Sequence, residues 1–263
     1  MKDAREIVPL NPEHARLRDF DLREINAQDP GDHMALKYMA RLEGVVAAVR
    51  KHAAPGGLVL EAGCAQANAG LLLAEEGYRC VGLDLLPDSL GYARLKQERG
   101  EFHPVCGDAT NLPFAQATFD AALVGELLEH CARPAQVLGR IAQCVRPGGC
   151  VIVTTPNGQR IGNQDRTFAS ACAEEDEMRQ FGPGGEDHLF EFTLGELAGV
   201  VRDAGLEVIS TRRLGSALHS NRLRALRKGL SPRAVQRVAE LLNAAPVLGP
   251  KLALTLLVVA RVH

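Results

Sequence analysis

Acidic residues follow three successive short apolar segments of the chain. The first is Glu61, which precedes a run of small residues, and Asp84 comes 23 residues later. Small residues let a ligand approach the backbone closely, and the start of a following helix attracts an anionic group. Asp84 is placed to accept hydrogen bonds from both hydroxyls of a ribose, and Asp108, after the third segment, from the amine of a purine. These residues predict a crevice for a ligand that contains a nucleoside.

Residues that can take a proton form a second group. Glu126, Glu129 and His130 follow the fourth apolar segment, and His188 lies in a long polar stretch. An imidazole that titrates near neutral pH suits a general base, so His130 and His188 are candidates together with Glu126. The alternative for His130 is packing at the start of a helix, and for His188 it is anchoring of the loop. We expect Glu129 to face solvent.

The sequence gives no sign of a metal site. The seven cysteines include no Cys-x-x-Cys pair, and the histidines show no ligand spacing. No further carboxylate cluster follows the fourth apolar segment beyond Glu126 and Glu129. We therefore predict that activity requires no metal ion, and that the cysteines are free, mostly buried thiols in a reducing compartment.

Alternating strands and helices must position these residues. Short apolar runs alternate with stretches of helical periodicity from residue 58 onward. The predicted strands are residues 58–60, 80–84, 102–105, 119–124, 150–154, 206–211 and 252–262. Strands separated by helices of about ten residues predict a parallel sheet with helices on both faces, which is an α/β doubly wound domain. The carboxyl ends of its strands form one crevice, which brings the acidic residues together.

The chain divides into an N-terminal arm and helical cap, residues 1–57, and one α/β domain, residues 58–263. Two segments interrupt the regular alternation in that domain. The polar residues 157–187 are expected to act as a lid, and residues 212–250 form a basic insertion.

Local signals refine this division. The polar residues 1–31 are expected to hold one short helix, and the apolar spacing over residues 34–52 predicts a longer one. Beyond the lid, Thr193 and Glu196 have the spacing of a capping box at the start of a helix.

The composition excludes several classes of protein. The 263 residues are 46% hydrophobic and 24% charged, which is typical of a globular chain. The net charge of −2 gives no overall positive electrostatic field that would attract nucleic acid. There is no Trp and only 4% of residues are aromatic, which argues against base stacking. The charged N-terminus precedes no apolar stretch, and no apolar run reaches the roughly 20 residues of a membrane span. These features predict a cytoplasmic protein with neither a membrane span nor a nucleic-acid partner.

Several motifs in order resemble those of a known family. The matching segments are residues 61–67, 81–84, 107–114, 119–130, 138–149, 192–197 and 204–206. They resemble successive motifs of the Rossmann-like (class I) S-adenosylmethionine-dependent methyltransferases, and most closely the branch that acts on small molecules. The resemblance implies a seven-stranded sheet of six parallel strands and a final antiparallel strand. It also implies methyl transfer to a hydroxyl or amine of a secondary metabolite, sugar or quinone-like compound.

The resemblance also implies roles for individual residues. The expected ligands of S-adenosylmethionine are Glu61, Gly63, Cys64, Ala65, Asp84, Leu85, Asp108, Ala109 and Gly125. In this arrangement Gly63 passes beneath the methionine part, Asp84 holds the ribose, and Asp108 meets the adenine amine. The expected catalytic residues, beside the sulfonium or the acceptor, are Glu126, His130 and His188.

The first loop departs from the family pattern. Ala65 and Ala67 stand where the family usually has glycine, and Glu61 replaces a more usual aspartate. A methyl group at a positive φ costs about 1 kcal/mol or more. Both alanines must therefore adopt tolerant torsions, or the loop must be shifted.

The sequence leaves alternative functions to consider beside this one. A dinucleotide-binding domain expects three glycines after the first strand, and this loop has Ala65 and Ala67 instead. A non-enzymatic protein that binds S-adenosylmethionine or a nucleotide remains an alternative, as does a methyltransferase that acts on a macromolecule. Residues 212–237 contain eight Lys and Arg residues and no acidic residue. This charge is compatible with an acceptor that carries a negative charge. A homodimer is left open too.

Overall fold

The computed structural model describes residues 1–29, 32–170 and 188–263. Residues 171–187 of the expected lid, which include its acidic run and Cys172, lie outside the described residues. The six described cysteines are free thiols, of which Cys64, Cys80, Cys144 and Cys150 are buried. Among the described residues, no helix combines the length and apolar character needed to cross a bilayer.

Seven strands form one sheet in the order β3-β2-β1-β4-β5-β7-β6. Their bounds are β1 Leu58–Ala62, β2 Arg79–Asp84, β3 Glu101–Cys106, β4 Phe119–Gly125, β5 Val145–Pro156, β6 Glu207–Leu214 and β7 Thr255–Arg261. β7 runs antiparallel to both β5 and β6, and the pairs from β3 to β5 are parallel. This is the predicted seven-stranded α/β sheet with a final antiparallel strand.

Nine α-helices accompany the sheet in the described residues. Their bounds are α1 Pro12–Arg23, α2 His33–His52, α3 Asn68–Glu75, α4 Pro87–Lys96, α5 Pro134–Cys144, α6 Leu194–Asp203, α7 Arg224–Arg227, α8 Pro232–Ala244 and α9 Gly249–Leu252. α5 and α6 pack with alternate strand residues such as Leu60 and Val153, whereas α2 and α3 pack with Val59 and Ile152 on the other face. Since successive strand residues point to opposite faces, the sheet is buried on both sides.

The predicted elements exist, but several of their bounds differ. The sixth strand continues to Leu214, because Leu214 pairs with Thr255 at the far end of the ladder between β6 and β7. The last strand begins only at Thr255, after the short helix α9. The predicted capping box is present, because the Thr193 side chain accepts from the Glu196 backbone N–H while the Glu196 side chain accepts from that of Thr193.

The N-terminal arm is more ordered than its sequence suggests. Instead of one short helix it forms the 3₁₀ turn Ala4–Glu6 and the three-turn helix α1, whose N-cap is Asn11. α1 is held down by the buried carboxylate of Asp21. This carboxylate accepts hydrogen bonds from Lys96 Nζ at 2.7 Å, Tyr92 Oη at 3.0 Å and Asn68 Nδ2 at 2.9 Å. Contacts to α3 and α4 thus fix the arm against the sheet.

The basic insertion is partly neutralised by its own surroundings. Arg227 is buried and donates to the carbonyl oxygens of Leu218 and Ser220 at 2.5 and 2.7 Å. Arg224 pairs with Asp29 of the N-terminal arm at 2.6 Å. The role of the insertion toward an anionic partner stays a prediction.

Candidate functional site

A cavity of about 400 Å³ lies at the carboxyl ends of β1, β2, β4 and β5. Its wall contains seven of the residues that the sequence placed in the site: Glu61, Gly63, Cys64, Ala65, Asp84, Gly125 and Glu126. Its roof comes from α1 and α2, including Phe20, Tyr38 and Arg41. The cavity therefore lies at the ends of these four strands, and helices of the N-terminal arm cover part of it.

Glu61 connects the end of β1 to the start of α3. Its Oε2 accepts from the backbone N–H of Gly70 at 2.8 Å. A Cβ at position 70 would lie 2.6 Å from that oxygen, so the contact requires glycine there. Burial raises the pKa of Glu61 to about 7, against the lowering effect of the Gly70 hydrogen bond. The residue is thus poised to titrate near neutral pH.

Asp84 ties the first loop to the second. Its Oδ2 accepts from the backbone N–H of Ala65 at 2.8 Å, and its Oδ1 accepts from that of Leu86 at 2.9 Å. A carboxylate has about four acceptor positions, so two remain for a ligand. Asp84 can therefore shape the loop and still hold two hydroxyl groups.

Ala65 and Ala67 adopt the backbone conformation that glycine favours. Their φ angles are 43° and 55°, in the left-handed region. The backbone N–H of Ala67 donates to the Cys64 carbonyl at 2.7 Å, and those of Gly63 and Cys64 donate to the Leu83 carbonyl. The loop therefore keeps the tight shape of a glycine turn, and two methyl groups strain it.

Three predicted cofactor ligands do not line the cavity. Leu85 is 52% exposed, and its neighbour Leu86 lines the wall instead. Asp108 is exposed and its Oδ1 accepts from the Thr110 backbone N–H at 2.7 Å. Ala109 packs against the apolar core. Their contacts with a cofactor stay predictions.

The roof contributes residues that the sequence analysis missed. Arg41 Nη1 lies 3.6 Å from Glu126 Oε2, and its guanidinium stacks over the Tyr38 ring at 5.0 Å. A smaller cavity of about 210 Å³ is lined by Lys37, Arg41 and Glu126, among others. Arg41 and Glu126 also line the main cavity, so the two cavities adjoin there. The only signal in the sequence was the helical spacing of α2, which does not identify the strand end that it will cover.

Glu126 stands between the two cavities in a strained conformation. Its φ is 51°, and its backbone N–H donates to the Thr154 carbonyl at 2.9 Å. Within the described part of the chain, its buried Oε1 has no hydrogen-bond partner. Strain at a non-glycine residue and an unpaired buried oxygen both favour a functional role.

The expectation that Glu129 faces solvent is wrong. Its side chain is fully buried, and its Oε2 accepts from Thr155 Oγ1 at 3.2 Å. Burial, reinforced by the negative charge of Glu126, raises the pKa of Glu129 well above its usual range. The 3₁₀ turn Leu128–His130 directs this side chain inward, which the sequence did not indicate.

The two candidate histidines lie together, although neither lines the main cavity. The rings of His130 and His188 meet edge to face, with centroids 5.0 Å apart. Burial lowers the pKa of His130 to about 4, so its imidazole is neutral at pH 7. Of the three predicted catalytic residues, only Glu126 borders the main cavity.

Comparisons with known proteins agree with this geometry. A family described as "Methyltransferase domain" matches residues 60–153. A probable S-adenosylmethionine-dependent methyltransferase of Mycolicibacterium smegmatis is 29% identical over 66% of this chain and 61% of its own length. A ubiquinone biosynthesis O-methyltransferase of Leptothrix cholodnii is 28% identical over 59% of this chain and 66% of its own length. The chain thus spans slightly under two thirds of these relatives.

A solved structure shows the same fold. An S-adenosylmethionine-dependent methyltransferase from Mesorhizobium loti superposes with a TM-score of 0.56 at 18% identity, over 84% of this chain and all but 1% of its own. The family match and these relatives support a class I methyltransferase that depends on S-adenosylmethionine, which is the cofactor of that class. A cavity of about 400 Å³ with two free acceptor positions on Asp84 fits such a group.

Proposed function

We propose that this protein transfers the methyl group of S-adenosylmethionine to a hydroxyl or amine of a small molecule. The observation that carries the proposal is the junction between the two cavities. Glu61 and Asp84 lie on the wall of the larger one, and Glu126 and Arg41 border both. A donor in the larger cavity and an acceptor in the smaller one would meet beside Glu126.

Different residues of the site would have different roles in such a reaction. The bound cofactor supplies an electrophilic methyl group, and its transfer is an in-line displacement that depends on alignment and exclusion of water. Asp84 orients the ribose, and the small residues of the first loop let the methionine part lie against the backbone. The roof of α1 and α2 excludes water.

Glu126 is the residue best placed to act on the acceptor. Its unpaired Oε1 can accept a hydrogen bond, and then the proton, from an acceptor hydroxyl or amine. Arg41 Nη1 lies 3.6 Å from the other oxygen, Oε2, and this ion pair helps to hold the carboxylate in place. His130 and His188 lie farther from the cavity wall, and a direct contact with acceptor remains a prediction for both.

The size of the smaller cavity supports a small acceptor. Its volume is about 210 Å³, and Lys37 and Arg41 in its wall suit an acceptor that carries a negative charge. The relative from ubiquinone biosynthesis supports a quinone-like or phenolic hydroxyl among the classes of acceptor. A sugar or another metabolite stays open.

Calorimetry and a labelling screen test the proposal in two stages. Binding of S-adenosylhomocysteine is measured for the wild type, for Asp84→Ala, and for Asp88→Ala as the control at an exposed acid in α4. We expect Asp84→Ala alone to weaken binding by about 2–3 kcal/mol, since two hydroxyl hydrogen bonds are lost. An unchanged affinity would show that Asp84 is not the ribose ligand.

The second stage identifies the acceptor. The protein is incubated with cofactor carrying a labelled methyl group and a panel of hydroxyl and amine metabolites, with tRNA and protein extract in parallel. Labelling of a metabolite supports the proposal, and preferential labelling of a macromolecule contradicts it. Binding of S-adenosylhomocysteine with no labelling in any pool indicates a non-enzymatic binding protein.

A further inference from the structure

Glu129, His130 and His188 bring three ligand atoms to one place. One carboxylate oxygen and one ring nitrogen from each histidine lie within 4.8 Å of one another. His130 directly follows Glu129, but His188 comes 58 residues later, so only the fold unites them. Spacing along the chain could not reveal this cluster.

The Glu129 carboxylate is incompletely satisfied within the protein. Its side chain is fully buried, and Thr155 hydrogen-bonds only Oε2. Among the described residues, Oε1 has no hydrogen-bond partner. A buried oxygen without a partner is unfavourable, and a cation bound beside it would remove the cost.

A carboxylate orients the His188 ring, as is usual for histidines that bind metal ions. The Glu191 carboxylate lies 3.5 Å from His188 Nδ1, and Glu191 is itself buried and paired with Arg160. A carboxylate against one ring nitrogen fixes the ring and leaves Nε2 for an ion. With a side chain 30% exposed, His188 also leaves the cluster open to solvent.

A second group of side chains competes for the same histidine. Asp165, His188 and Glu191 also have ligand atoms within 4.8 Å of one another. Glu191 is engaged by Arg160, however, and Asp165 is exposed, with Arg160 Nη2 3.6 Å away. These acids already have a cation in Arg160, whereas no cation of the described residues pairs with the Glu129 oxygen.

We propose that Glu129, His130 and His188 form a binding site for one divalent transition-metal ion. Two imidazoles and one carboxylate suit Zn²⁺, Fe²⁺ or Co²⁺ better than Mg²⁺ or Ca²⁺, which prefer oxygen ligands throughout. Three protein ligands leave a coordination position for water or an acceptor oxygen. The proposal opposes the expectation of metal independence drawn from the sequence.

The use of this ion in catalysis rests on the proposed function, whereas its binding does not. Glu129 lies three residues after Glu126, and the two carboxylates are near enough for the charge of one to act on the other. An acceptor hydroxyl bound to the ion would lose its proton more readily and would be held near Glu126.

Metal binding is measured first, on the untagged full chain after treatment with a chelator. Zn²⁺ binding is followed by calorimetry, and Co²⁺ binding by its visible absorption, which reports nitrogen ligands. We expect one ion per chain, and affinities weakened more than about tenfold in His130→Gln, His188→Gln and Glu129→Gln. His103→Gln is the matched control, because His103 is exposed and lies 3.1 Å from Glu101.

Binding of S-adenosylhomocysteine by the same variants reports whether they are folded. Retained cofactor binding with lost metal binding supports the site. Wild-type metal affinity in the folded variants, or an equal loss in His103→Gln, overturns it. If the metal binds but no acceptor is ever labelled, the proposed function fails while the metal site stands.

Discussion

Two buried polar clusters flank the main cavity, and they differ in how completely they are paired. Beneath the roof, the Asp21 carboxylate is bonded by Lys96, Tyr92 and Asn68, while Asn68 also donates to Tyr38 Oη at 2.6 Å. At the exit of β4, buried oxygens of Glu126 and Glu129 have no partner in the described part of the chain. The first cluster is complete without a ligand, and the second is not.

This difference separates a structural role from a chemical one. A buried ion pair with all its hydrogen bonds satisfied fixes the arm, because breaking it would leave a charge stranded in the interior. A buried carboxylate with an unused oxygen keeps an interaction available for a substrate or an ion. The arm is therefore positioned by the first cluster so that its helices can cover the second.

The largest effect is expected from breaking the complete cluster. Lys96→Met leaves Asp21 buried without its cation and should lower the free energy of unfolding by about 3–5 kcal/mol. Urea unfolding measures this change, with Lys51→Met as the control at an exposed position of α2. A second substitution, Asp21→Asn, should restore part of the loss. A change no larger than that of the control would contradict the structural role.

A smaller effect is expected from the incomplete cluster, and it should appear in rate rather than in stability. Glu126→Gln removes the proton acceptor that we propose and should lower kcat about 100-fold, the lower end of the range for general bases. Steady-state kinetics at saturating cofactor, with the exposed Glu43→Gln as control, measures it. If KM for the acceptor rises while kcat is unchanged, Glu126 binds the acceptor without taking its proton.

The pairing of Glu61 is intermediate between those of the complete and the incomplete cluster. One of its carboxylate oxygens accepts a hydrogen bond from Gly70, and its pKa is raised. Because its pKa rises from 4.5 to about 7 on folding, its carboxyl group favours the folded state below pH 4.5 and loses that effect as the pH rises to 7. Relative to Glu61→Gln, the wild type should lose about 2–3 kcal/mol of stability across this window. Parallel stability curves from pH 4.5 to 7 would show that Glu61 does not titrate there.

The smallest effect concerns the loop that joins the complete cluster to the cavity. Ala67→Gly should raise the free energy of unfolding by about 1 kcal/mol, because it relieves a left-handed alanine at φ 55°. Ala69→Gly, inside α3, is the matched control and should destabilise by a similar amount. Thermal unfolding of both variants checks the opposite signs. Destabilisation by Ala67→Gly would mean that the loop is not strained.

The sequence by itself determined the parts of this protein that depend on local patterns. Alternating apolar runs and helices specified the sheet, and Thr193 with Glu196 specified the start of a helix. The positions of Glu61 and Asp84 at successive strand ends specified part of the wall of the main cavity. Each of these follows from the chemistry of neighbouring residues or from the rule that parallel strands end at one edge.

Only the tertiary structure decided which side chains come together around the main cavity. The sequence did not reveal that Arg41 would cover Glu126, that Glu129 would be buried, or that His188 would meet His130. Each of these contacts joins residues whose nearness depends on how helices and loops pack, or on the direction of one short turn. Burial and pairing are properties of the assembled interior, so no spacing along the chain encodes them.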